Sequence, residues 1–62
     1  MSALEALEEA QGQIRTEQNM RHNLADRASN EHIEAAHLGI VSGLARAVDI
    51  IEEVKKRLPK AA

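Results

Sequence analysis

An all-α fold is what this sequence predicts: a helical hairpin of two antiparallel helices that self-associates into a small bundle, most simply a dimeric four-helix bundle. Three observations predict it. The second half carries an unbroken heptad seam, each half opens on helix-capping residues, and the hydrophobic stripes of the two halves are out of phase around residue 30.

The first helix begins at residue 3. Ser2-Ala3-Leu4-Glu5 has capping-box spacing, with the Ser hydroxyl placed to accept from the backbone amide three residues on. Glu5, Glu8 and Glu9 follow, where the positive end of the helix dipole favours carboxylates. On a helical wheel, Leu4, Leu7, Ala10, Ile14, Ala25 and Ala28 fall on one stripe, with Leu24 at its border and Met20 away from it. The stripe is thin. Glu17, Gln18 and Arg21 occupy it between Ile14 and Leu24, and with His22 they are expected to face solvent, the alternative being an interhelical polar layer.

The second helix has a far stronger pattern. Ile33, His37, Ile40, Leu44, Ala47, Ile51, Val54 and Leu58 alternate at spacings of four and three, which is an a/d seam. His37, Leu44, Ile51 and Leu58 take a; Ile33, Ile40, Ala47 and Val54 take d. Val41 and Val48 at e, with Ala36, Gly43 and Ile50 at g, widen the apolar face beyond what one neighbour covers. The expected self-association interface is therefore Ile33, His37, Ile40, Gly43, Leu44, Ala47, Val48, Ile51, Val54 and Leu58. Ala35, Gly39, Gly43 and Ala47 also form a small-residue row, and glycine costs ~1 kcal/mol in a helix interior. Close helix packing is one reason to keep it; a tolerated weakness is the other.

Ser29 or Asn30 can cap a helix starting at Glu31, and Pro59 ends it, because a residue before proline is pushed out of the α region. Carried backward, the second-half register puts Gly12, Thr16, Asn19, Asn23, Asp26 and Asn30 on the seam, all non-apolar. That phase break favours a hairpin over a kinked rod, which would run ~85 Å. The organisation expected is one helical domain over 1–62, with helices 3–28 and 31–58, a turn at 29–30 and a frayed tail over 59–62.

Composition narrows the functional classes. A 62-residue chain is small for an independent core, and this one has no aromatic residue and no cysteine, so aliphatic packing and association must stabilise it. A net charge of −2 with mixed signs gives no broad positive field, so no nucleic-acid partner is expected, and the basic cluster Lys55-Lys56-Arg57 is better explained as a helix end. The longest apolar run, Leu38-Gly39-Ile40-Val41, is far short of the ~20 residues of a membrane span, so no membrane partner is expected and a cytoplasmic location follows.

Chemistry is sparse. Ser2, Ser29 and Ser42 have no evident His/Asp partner, and no glycine-rich phosphate loop occurs, so no catalytic residue and no cofactor are expected. Glu34-Ala35-Ala36-His37 has the Glu-x-x-His spacing of metal-binding bundles, and a turn near residue 29 would bring His22 level with His37. Metal ligation by Glu34, His37 and His22 is the alternative function; the preferred role of His37 is a polar a-position residue that sets register. The functional expectation is a non-enzymatic assembly or protein-interaction module that associates with itself, a dimer being favoured. By analogy with small bacterial and phage accessory proteins, it would act by binding a larger protein.

Overall fold

The computed structural model describes residues 2–59. Two helices, α1 (Ala3–Asp26) and α2 (Glu31–Arg57), lie antiparallel and pack along their length. The hairpin, not the rod, is the architecture. Residues 60–62 of the expected frayed tail lie outside the described residues.

Both starts are capped by the residues the sequence offers. Ser2 Oγ accepts from the Glu5 amide at 3.1 Å, and Asn30, extended at φ −150° and ψ 161°, accepts from the Ile33 amide through Oδ1 at 2.9 Å. Each bond satisfies an orphan amide of a first turn. At the far end Leu58 is extended, as a residue preceding proline must be.

The reversal takes four residues, 27–30, where two were expected. The expected first helix ran to residue 28; α1 stops at Asp26, with Arg27 as its cap. Ala28 turns back under the helix, its amide donating to the Ala25 carbonyl at 3.1 Å, and its half-buried side chain closes the end of the seam. No described residue has positive φ, so right-handed and extended conformations alone make the turn. Hence it needs no glycine.

The hairpin is one helix thick. Its Cα extents are 53 × 17 × 9 Å, and its radius of gyration is 14.8 Å, against about 11 Å for a compact domain of this length. Ala25, Val41 and Gln11 are the described residues that are buried, at 2%, 8% and 2% exposure. A single layer cannot enclose a core, because domains bury their apolar faces between at least two layers.

The α1 seam follows heptad spacing through its polar section. Leu7, Ile14, Gln18, Arg21 and Ala28 are half-buried, Gln11 and Ala25 buried, and Leu4 is the exposed end of the same row. Glu17, Gln18 and Arg21 thus sit in or beside the seam, with a 3.1 Å ion pair between Glu17 and Arg21, whereas His22 is exposed as expected.

Candidate functional site

α2 divides its apolar residues between two faces. Facing α1 are the a row, His37, Leu44, Ile51 and Leu58, all half-buried, and the e row, with Val41 buried and Val48 and Lys55 half-buried. The d row is turned out. Ile33, Ile40 and Val54 are exposed, as is Ile50 at g, and Ala47 is half-buried. The seam is therefore a/e within the chain, where a/d spacing had suggested that a and d would work together. A face wider than one neighbour can cover had two possible inner edges, and spacing alone does not choose between them.

Gln11 explains the choice. Its side-chain amide donates to Glu52 Oε2 at 2.9 Å and to the Val48 carbonyl at 3.2 Å, and its oxygen accepts from Lys55 Nζ at 3.1 Å. Lys55 also reaches Glu8 at 3.8 Å and Glu52 at 3.5 Å. A buried amide is tolerable only when its donors and acceptor are engaged, and α2 satisfies Gln11 by turning Val48 and Lys55 of its e row inward, with Glu52 reaching in from the edge of the seam. The Gln11 hydrogen bond, and after it the Lys55 ammonium, hold the Glu52 carboxyl below its ordinary value. Along the surface of α2, Glu52 meets Lys55 at 3.5 Å and Glu53 meets Lys56 at 3.4 Å, each pair three residues apart.

Because the chain reverses between the helices, the g positions of α1 and the d positions of α2 flank the same side of the seam. The Glu8–Lys55–Glu52 bridge marks the opposite, polar side. On the apolar side α1 contributes Ala3, Ala10, Glu17 and Leu24, and α2 contributes Ile33, Ile40, Ala47 and Val54, with Ile50 and Gly43 adjoining. Leu24 is exposed. Gly43 bears on this side as well, and a methyl group built there meets nothing within 4 Å. Nothing in the hairpin itself requires a glycine there.

Of the residues expected to mediate association, Ile33, Ile40, Gly43, Ala47 and Val54 share this outer face, whereas His37, Leu44, Val48, Ile51 and Leu58 are engaged by α1. Leu24 and Ile50 belong to the face too; spacing places Ile50 at g among the residues that widen the apolar face and Leu24 at the border of the α1 stripe, but neither in the expected association interface. Treating g positions of both helices together, rather than each helix alone, would have found them.

The candidate metal ligands do not assemble. Gln11 stands opposite the Val48–Lys55 stretch, and carrying that pairing along the helices sets Ala25, not His22, opposite His37. Glu34 and His22 are exposed and His37 half-buried, with its Nδ1 enclosed and without a hydrogen-bond partner. Among the described residues no three His, Asp or Glu side chains gather as a metal site would require. A shallow open depression lies between Arg46, Ile50, Glu53 and Arg57, all of α2, and is a gap between side chains of one helix. No helix of the described residues is long and apolar enough to cross a membrane.

Comparison with protein-family models, curated proteins and solved structures finds no match to this chain.

Proposed function

We propose that the chain is a non-enzymatic protein-interaction module that self-associates through the outer face of α2, two hairpins forming a four-helix bundle. The observation that carries this reading is the row Ile33, Ile40, Ile50 and Val54, left exposed on a hairpin one helix thick. A row of β-branched aliphatic residues in water is unfavourable, and covering it contributes about 25 cal/mol for each Å² of apolar surface removed from water. A second layer removes that cost. In this role the bundle is a scaffold, and its polar outer surface is what a larger protein would meet, in the manner of a small accessory or regulatory protein.

Sedimentation equilibrium over a wide concentration range tests the reading. The expected result is a species of twice the 6.8 kDa chain mass, strongly helical throughout. A poorly helical monomer at every concentration would mean that this face waits for a different protein.

A further inference from the structure

Resting on the self-association just proposed, we infer that a second copy docks with its α2 antiparallel on this α2, about a two-fold axis near Gly43, rather than on α1. The occupant is argued first from area. The chain exposes 4805 Å², whereas a compact chain of 6.8 kDa exposes about 3,950 Å². The excess is roughly 850 Å², close to the ~800 Å² that each partner of a standard stable interface covers. One more hairpin is enough to account for it.

Symmetry then limits the arrangements. A closed pair uses the same face on both copies. Two flat hairpins stacked face to face can meet that condition in two ways: α2 lies antiparallel on α2 of the second copy, or α2 lies on α1 of the second copy. A parallel α2–α2 pair does not close about a two-fold axis in this geometry.

Polarity separates the two. The α2 half of the face is aliphatic from Ile33 to Val54, but the α1 half carries Glu17, paired with Arg21 at 3.1 Å. Setting α2 on α1 would lay the aliphatic helix over the half of the face that carries this ion pair and take the pair out of water, at a desolvation cost. Setting α2 on α2 puts apolar against apolar along the whole row and sets the polar section of α1 against that of its symmetry mate. End charges agree: the first turn of α2 holds Glu31 and Glu34, the last Lys55, Lys56 and Arg57. An antiparallel pair brings unlike ends together at both extremes of the interface. The middle of the Ile33–Val54 face falls beside Gly43, with Ala47 one turn on, so small residues lie where the two helices approach most closely.

The chain has no cysteine, so single introduced thiols report the geometry directly. Gly43→Cys should oxidise readily to a covalent dimer, since the two thiols lie near the axis. Ile33→Cys should stay reduced, because its two copies stand ~30 Å apart along the helices at 1.5 Å per residue. Should Gly43→Cys lose helicity by circular dichroism, the double variant Ile40→Cys/Ala47→Cys reports the same axis, because position 40 of one copy stands level with position 47 of the other. A dimer in which position 33 cross-links as readily as the near-axis position would place α2 on α1 and overturn the antiparallel arrangement while self-association stands. A wild-type chain that sediments as a monomer would remove both.

Discussion

Gln11 is the residue on which the hairpin turns. Its three hydrogen bonds cross from α1 to α2, and two of them involve charged partners. Gln11→Ala should therefore cost about 1–3 kcal/mol, measured by urea or thermal unfolding; an unchanged midpoint would show that these bonds are exchanged for water at no loss. Glu52 adds a pH signature. Its carboxyl is held below the ordinary value by Gln11 and then Lys55. The stability this contributes is complete above the ordinary carboxylate value of about 4.3 and is lost as pH falls through the lowered one. Between pH 7 and 3 the wild type should lose more thermal stability than Glu52→Gln, and parallel profiles would refute the assignment. His37 is the converse case, with an enclosed Nδ1 that lacks a partner. His37→Leu should raise stability by roughly 1–3 kcal/mol, the usual cost of an unsatisfied buried group. A loss instead would mean that another chain supplies the missing hydrogen bond. Gln11 was hard to find from sequence because apolar periodicity passes over polar seam residues. Heptad spacing continued blindly through Leu4, Leu7, Gln11, Ile14, Gln18, Arg21, Ala25 and Ala28 would have placed it.

The helices themselves were the most legible part of the chain. Starts at Ala3 and Glu31 were readable because Ser2 and Asn30 are strong caps, and the end near Pro59 because proline constrains its predecessor. What spacing left open was which edge of α2 turns inward, since a, d and e are all apolar over much of its length. That choice rests on tertiary contacts with Gln11. At this scale the glycines give a paired test. Gly12 and Gly43 are both mid-helix with open space beside them. Gly12→Ala should stabilise the hairpin by about 0.8–1 kcal/mol on helix propensity alone. Gly43→Ala should fall short of that gain, and Gly43→Leu should abolish association, because the proposed second copy approaches there. Equal gains from both alanines, with the leucine variant's sedimentation mass unchanged, would show that nothing packs on Gly43.

As a whole molecule the hairpin is a slab with the Ile33–Val54 row along one side and the Glu8–Lys55–Glu52 bridge on the other, and under the proposed self-association its stability should depend on concentration. Binding between folded chains stabilises the native state by mass action, so the melting temperature should rise across a hundredfold increase in protein. Ile40→Lys should remove that dependence and lower helicity; a variant that still sediments and melts like the wild type would clear Ile40 of the interface. The two-helix organisation was visible in the phase break near residue 30, but the sidedness was not, because it emerges only when both helices are placed in register. The turn carries a further consequence. Residues 27–30 reverse the chain without a single left-handed backbone conformation, so nothing there forbids an uninterrupted helix. Only the extended Asn30 cap and the tucked Ala28 distinguish the bend from a straight run. Were Ser29 and Asn30 both alanine, the same contacts between α1 and α2 could form between chains, and the fold would pass from closed hairpins to exchanged, straightened rods. Small-angle scattering would register the change as a longest dimension growing from roughly the hairpin's 53 Å toward ~85 Å.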